Sequence, residues 1–350
     1  MREASAAITI CQAFHAEPAR VIRRLGIWPT VFGLVGLLLF TGTIAWFGWG
    51  DVVHALERVS LSGFVAYLGV QMVIIAGLAV AWRLLLRRRH GGSFLLLYWG
   101  RMVRDSAGEF LPFSHVGGFV IGGRAIALGG VAFADAAAST LADVTLEFLA
   151  ELVFVAIGVI LLIALVPHSD LVWPMSIGLG VAFAAGAVFL LMQKGMSRLF
   201  RGLAMRIAGQ SADAASIGIG RLQAALDAIY ARRRRLVAAS SMHLLCWFGT
   251  GIASFVAFRA LGQNISLRDA LVIEALLHAI LSTGFFIPGR LGVQEAAYTL
   301  LGAVFGIPPD IALSVSLLRR ARDLVIAVPV LLAWQGIEAR RLQPVSGELR

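Results

Sequence analysis

Apolar residues fall in long blocks along this chain, separated by short polar punctuation. Six blocks, at about 27–49, 61–86, 131–166, 171–192, 236–261 and 310–335, reach or approach the roughly 20 residues a helix needs to cross a bilayer. Two further apolar segments are broken. In the first, 92–103 is helical in pattern and Arg104-Asp105-Ser106-Ala107-Gly108-Glu109 interrupts it. Phe110-Leu111-Pro112-Phe113 and the pairs Gly117-Gly118 and Gly122-Gly123 follow. The second covers 268–306 and breaks at Thr283-Gly284 and Pro288-Gly289-Arg290. Neither half of either segment is long enough to span, so each predicts a re-entrant hairpin whose backbone faces protein or a wet cavity. Between the fourth and fifth blocks, Lys194 to Arg235 is polar, with Leu222, Leu226 and Ile229 at helical spacing. That pattern predicts amphipathic helices at the membrane surface.

Composition supports the membrane reading: 59% of residues are hydrophobic and 14% charged, and mean hydropathy is +0.84. Soluble domains carry about 25% charged residues. The net charge is +10, and Lys194 is the lone lysine among 30 basic residues. In a membrane protein such a balance reflects basic cytoplasmic loops against anionic lipid. Nucleic acid is not an expected partner. With the N-terminus inside, Arg87 to Arg89, Lys194 to Arg235 and Arg340-Arg341 all fall on the cytoplasmic side, and Arg58 is the one basic residue in the short outer loops. The two cysteines, Cys11 and Cys246, sit in different segments and cannot make a disulfide framework or a four-ligand metal site.

The predicted fold is an all-α polytopic membrane protein with about six transmembrane helices and two re-entrant hairpins. Residues 1–26 form a cytoplasmic segment, 27–336 one transmembrane domain, and 337–350 a cytoplasmic tail. Within the domain, 61–192 and 236–335 are repeat-like halves joined by the surface linker 194–235. The repeat is visible at an offset of 176: Gly108-Glu109-Phe110-Leu111-Pro112 resembles Gly284-Phe285-Phe286-Ile287-Pro288. Downstream, Gly130 and Asp135 correspond to Gly306 and Asp310 after an indel. Because the hairpins enter from opposite sides, the repeat is inverted, as in many secondary transporters.

Ionisable residues inside the apolar blocks are the first functional candidates, since each costs about 2.5–3.5 kcal/mol at a helix centre. Asp143, Glu147 and Glu151 stack on one helical face at i, i+4, i+8, and Arg319, Arg320, Arg322 and Asp323 sit in the last block. The offset of 176 sets Asp143 against Arg319 and Glu147 against Asp323. The expected arrangement is a buried network joining Asp143 and Glu147 to Arg319 and Arg322, with Glu151 nearer the outside. It either locks the halves together or serves transport. Glu109, Pro112, Arg124, Pro288, Arg290 and Glu295, on or beside the broken turns, are candidates for a substrate path, because free backbone groups at helix ends bind ions. Glu274 and His278 share a face at i, i+4, too few ligands for a metal. His115 and His243 read as polar packing residues. The chain has no Walker loop, H-E-x-x-H or G-x-S-x-G motif, so no cofactor, no catalytic residue and no ATP-driven pump are expected.

Pro288-Gly289-Arg290-Leu291-Gly292-Val293-Gln294-Glu295 with Gly306-Ile307-Pro308 resembles the flippase-like transmembrane region of lysylphosphatidylglycerol synthases, and Asp143-x-x-x-Glu147 resembles that family's paired acidic positions. The resemblance covers roughly residues 30–335. Leu111-Pro112-Phe113-Ser114-His115 with Val116-Gly117-Gly118-Phe119-Val120 looks like the hopanoid-biosynthesis-associated (HpnL-type) subgroup. In the first hairpin Ser114 and Gly118 stand near the places of the family's usual arginine and acidic residue. The family implies lipid movement between the leaflets of a bacterial inner membrane, and the subgroup implies hopanoids. No aminoacyl-transferase domain follows, so synthesis of lysyl lipid is not expected.

Three readings compete. One is a transporter or flippase for hopanoid or a related amphiphile. A second is a scaffold for lipid-biosynthesis enzymes, and the third a lipid-modifying enzyme using Asp143 or Glu147. Expected partners are membrane lipids, hopanoid or phospholipid, together with biosynthetic enzymes and a second copy of the chain.

Overall fold

The computed structural model describes residues 57, 59–86, 92–110, 114–188, 212–283, 290 and 292–342. The first predicted span, the hairpin prolines Pro112 and Pro288, and much of the 194–235 linker lie outside them. The described residues form ten helices and no strand: α1 (Leu61–Leu85), α2 (Phe94–Phe110), α3 (Ser114–Leu128), α4 (Phe133–Leu165), α5 (Val172–Val188), α6 (Ala212–Tyr230), α7 (Arg233–Ala260), α8 (Leu267–Thr283), α9 (Val293–Val304) and α10 (Pro309–Leu342). By length and composition α1, α4 and α7 can cross a bilayer. α5 has the apolar character of a span but is shorter, and α10 is interrupted by its charges and by Pro329.

α1 opens on an N-cap: the Ser60 hydroxyl accepts the Gly63 N–H at 3.1 Å, satisfying one of the donors a helix start leaves free. At its other end Arg232 donates from Nη2 to the Leu85 carbonyl at 2.6 Å, and Arg235 from Nη1 to that of Leu86 at 3.2 Å. Cations at a helix C-terminus meet carbonyls without helical partners, so the arginine run that begins α7 also closes α1. The apolar stripe of α6, Leu222, Leu226 and Ile229, packs against Leu85, Ala138, Ala142 and Ala239.

One core joins α1, α4, α7, α8, α9 and α10 through Tyr67, Leu162, Phe258, Leu276, Tyr298 and Leu318. Close approaches rely on glycine. A Cβ on Gly118 of α3 would stand 2.6 Å from the Arg104 carbonyl oxygen and 2.9 Å from Gly108 Cα, and one on Gly122 would stand 2.5 Å from Arg104 Cβ. Small residues at such spacing let helix backbones touch, and here they fix the stretch of α2 that carries Arg104. Gly118→Ala should therefore lower the melting temperature of the purified protein, read by size-exclusion chromatography after heating. Gly117→Ala, where a Cβ meets nothing within 4 Å, should leave it unchanged.

The stretch Arg104 to Glu109, expected to interrupt the first broken segment, is helical: α2 continues through it to Phe110. Its polar residues form one face of a helix and find ionic partners there, so the loss of hydropathy marks a change of environment and not a break. The order of short helix, short helix, long helix occurs twice. α2, α3 and α4 have 17, 15 and 33 residues, and α8, α9 and α10 have 17, 12 and 34. α3 and α9 end alike, on glycines with positive φ, Gly130 at 101° and Gly306 at 69°. The Val131 N–H donates to the Ile126 carbonyl at 3.2 Å and the Ile307 N–H to that of Gly302 at 2.9 Å. These are the same left-handed helix stop, displaced by the offset of 176.

Candidate functional site

Arg101 and Arg104 lie three residues apart on α2 and so share a face. Asp143 and Glu147 share a face of α4 in the same way, and the two faces meet. Arg101 donates from Nη1 to Asp143 Oδ2 at 3.3 Å and to Glu147 Oε2 at 3.0 Å, and from Nε to Asp105 Oδ2 at 2.8 Å. Its Nη2 donates to Glu147 Oε1. Arg104 donates from Nη1 to Asp143 Oδ2 at 2.5 Å and from Nη2 to Glu147 Oε2. Its guanidinium also stacks over Phe119 of α3, 4.8 Å from the ring centre. His243 of α7 completes the group, with Nε2 3.0 Å from Asp143 Oδ1. The Trp247 indole N–H donates to the Glu147 carbonyl at 3.2 Å. Asp143 is wholly buried. Isolated, such a carboxylate would cost several kcal/mol, and two guanidinium groups and an imidazole offset that here.

The second half repeats the device with the charges exchanged. The base now sits on the long helix and the acid on the short one. Arg319 of α10 donates from Nη1 to Glu274 Oε1 of α8 at 2.5 Å and to the Tyr298 hydroxyl at 3.3 Å. The Tyr298 hydroxyl donates in turn to Glu274 Oε2 at 3.3 Å, and His278 Nε2 stands 3.3 Å from Glu274 Oε1. Arg322 chelates Asp323 Oδ1, at 2.9 Å from Nε and 2.7 Å from Nη2, and donates from Nη1 to the Tyr67 hydroxyl of α1 at 3.0 Å.

The expected bonds from Asp143 and Glu147 to Arg319 and Arg322 are therefore not the ones formed. Asp143 and Glu147 are neutralised by Arg101 and Arg104 of α2, and Arg319 by Glu274 of α8, in each case the short helix two elements earlier, while Arg322 is held by Asp323 on its own helix. The halves are joined instead by Asp143–His243, by Glu147–Trp247 and by Arg322–Tyr67, and by two longer approaches: Glu151 Oε1 is 3.9 Å from His278 Nδ1, and Glu109 Oε2 is 4.0 Å from Arg290 Nη1. Arg290 has φ of 50°, in the left-handed region that a non-glycine residue occupies at a cost of about 1–3 kcal/mol.

Both clusters face one cavity of about 660 Å³, whose wall includes five arginines, six carboxylates and the two histidines His243 and His278. Of the residues singled out from sequence, Glu109, Glu147, Glu151, Arg290, Arg319, Arg322 and Asp323 line it, and Asp143 lies directly behind the wall. Arg124 and Glu295 do not line it. Arg124 forms a two-pronged pair with Glu338 on the surface, at 2.7 and 3.0 Å. Glu295 is held by Arg320 at 2.6 and 3.1 Å and caps its own helix by accepting the Gly292 N–H at 3.0 Å.

Sequence reasoning missed Arg101, Arg104 and Tyr67, and it assigned His243 to packing. The signal for the arginines was their i, i+3 spacing next to an apolar run, with acidic partners two helices later.

A family model described as the lysylphosphatidylglycerol synthase transmembrane (TM) region matches residues 33–330. No curated protein and no solved structure matches the chain.

Proposed function

The chain belongs to the lysylphosphatidylglycerol synthase transmembrane-region family, a membrane family connected with lipid handling, and on that premise we propose that it moves an amphiphilic lipid between leaflets without altering it chemically. One observation carries the reading: a charge-lined cavity of about 660 Å³ is walled by α2, α3 and α4 of the first set of helices and by α8 and α10 of the second. Polar groups at this density in an apolar domain are costly unless they serve a pathway or hold a head group. The helices α2, α3, α8 and α9 have 17 residues or fewer, about 25 Å or less at 1.5 Å per residue, which suits two re-entrant hairpins meeting inside the membrane. The repeated helix stops at Gly130 and Gly306 suit an inverted repeat. In this reading the lipid head group travels through the cavity while the acyl or polycyclic tail stays in the bilayer. The lipid class is hopanoid or a related bacterial amphiphile, and the site is the inner membrane.

Proteoliposomes containing the full chain should exchange a leaflet-labelled lipid at least ten times faster than protein-free vesicles. A deletion strain should keep every lipid mass of its parent while the leaflet distribution of one species changes. A lipid that disappears or accumulates, with sidedness intact in the rest, speaks instead for an enzyme or an assembly partner.

A further inference from the structure

Counting Asp143 behind it, the cavity wall sets seven carboxylates against five arginines. Among the described residues, six of the seven have a guanidinium nitrogen within 4.0 Å. Glu151 is the exception. Its side chain is 20% exposed and lines the cavity, so solvent there reaches it. Protonating any of the other six gives up an ion pair with an arginine, and protonating Glu151 gives up none.

The ionisable side chain that faces Glu151 is His278 of α8, whose Nδ1 is 3.9 Å from Oε1 and which also lines the cavity. Its other nitrogen has two partners of opposite kind. Nε2 stands 3.3 Å from Glu274 Oε1, which accepts, and 3.5 Å from Arg319 Nη2, which donates. Both neutral tautomers are therefore served. With its proton on Nε2 the ring gives to Glu274 and turns a bare Nδ1 toward Glu151, which suits a carboxyl O–H. With its proton on Nδ1 the ring takes from Arg319 and offers an N–H to Glu151, which suits a carboxylate. His243 lacks this freedom, since its Nε2 faces Asp143 at 3.0 Å and its Nδ1 has no partner.

The other charges acting on this pair are Glu147, one turn earlier on α4, and Arg290. Arg101 of α2 and Tyr298 of α9 reach it through Glu147 and Glu274. α5, which meets α4 where Gly186 approaches Phe148, has no titratable residue. α7 brings the uncharged Trp247, whose ring centre is 4.5 Å from that of His278. One proton from cavity water takes the pair from one state to the other. The Nδ1–H bond breaks as the Glu151 O–H bond forms, and the incoming proton makes the Nε2–H bond. Release runs the same bonds backwards. Glu151 and His278 belong to opposite halves, so the gap between them changes when one half moves against the other, the motion by which inverted repeats alternate access.

We propose that lipid movement is coupled to a proton carried by Glu151, with His278 as the positioning residue that satisfies it in either state. This rests on the lipid-movement reading above and names its coupling ion.

The test uses proteoliposomes of the full chain, with the membrane potential clamped at zero by potassium and valinomycin. The probes are a fluorescent phosphatidylglycerol and a fluorescent glucosylceramide. Without coupling, a probe that moves keeps the leaflet distribution it has in the absence of a pH gradient. A difference of about one pH unit is about ten-fold in proton activity, so one-for-one coupling should skew a moving probe by up to about that factor, in a sense that inverts with the gradient. Glu151→Gln, uncharged like the protonated form, should abolish the skew. His278→Gln, whose amide offers a donor or an acceptor, should keep more of it than His278→Phe. In the detergent-solubilised chain the infrared C=O band of a protonated carboxyl should titrate with pH and be missing from Glu151→Gln, a readout that needs no lipid to move. A probe that moves without answering the gradient overturns the proposal and leaves the transport reading standing, as does a full skew or an unaltered band in Glu151→Gln. If neither probe moves under any gradient, the transport reading falls and the coupling with it.

Discussion

Asp143→Ala will destabilise the helical domain by about 3–5 kcal/mol, the usual penalty for removing one partner of a buried ionic group. The carboxylate accepts from Arg101 and Arg104 and faces His243, and none of these can turn to bulk water, since Arg101 and Arg104 are each 3% exposed. Arg104 would be left with Glu147 alone, which it shares with Arg101, and His243 would lose its acceptor. The effect is large enough to unfold a marginal domain. Melting followed by size-exclusion chromatography in detergent is the check. Asp323→Ala provides the contrast, because the Asp323 side chain is 21% exposed and its partner Arg322 keeps the Tyr67 hydroxyl. If the two variants melt together, the buried cluster contributes nothing special to stability.

Glu147→Gln will cut lipid translocation at least ten-fold while leaving a folded protein. The Glu147 side chain is 17% exposed and on the cavity wall, so its loss of charge is partly relieved by solvent, and glutamine keeps the size and one acceptor oxygen. The charge around the proposed head-group path does change: Arg101 and Arg104 would then share Asp143 and Asp105 alone, and the cavity wall would lose the one carboxylate this cluster holds beyond its two guanidinium groups. Dequenching of a leaflet-labelled lipid in proteoliposomes gives the rate. An unaltered rate in a well-folded variant would reduce the α2–α4 cluster to a structural lock and favour the scaffold reading.

Much of the architecture was legible because a bilayer imposes simple rules. The block 131–166 became α4, Phe133–Leu165, since an uninterrupted apolar run of that length has few other solutions. The glycines at 130 and 306 were legible as a repeat, and both take the left-handed conformation. The polar stretch 104–109 was less so. Hydropathy is blind to partners far along the chain, and the acids that keep Arg101 and Arg104 helical lie 39 to 46 residues away. The same limit hid the pairing of the site. The offset of 176 set Asp143 against Arg319, but positions that correspond in a repeat need not touch. Asp143 instead found Arg101 and Arg104 of α2, and Arg319 found Glu274 of α8, each on its own half. His243 carried no local mark, for a histidine among apolar residues looks the same whether it packs or holds a carboxylate.

The pairing of each arginine on the cavity wall with a carboxylate has an electrical consequence. A field of 100 mV does about 2.3 kcal/mol of work on each elementary charge that crosses it, and far less on paired opposite charges that shift together. Guanidinium–carboxylate pairs such as Arg319–Glu274 and Arg322–Asp323 can tilt with their helices without carrying net current. On the lipid-movement reading proposed above, such pairs add no net gating charge, so any response of translocation to membrane potential would report the charge of the lipid head group and of the proton proposed to move with it.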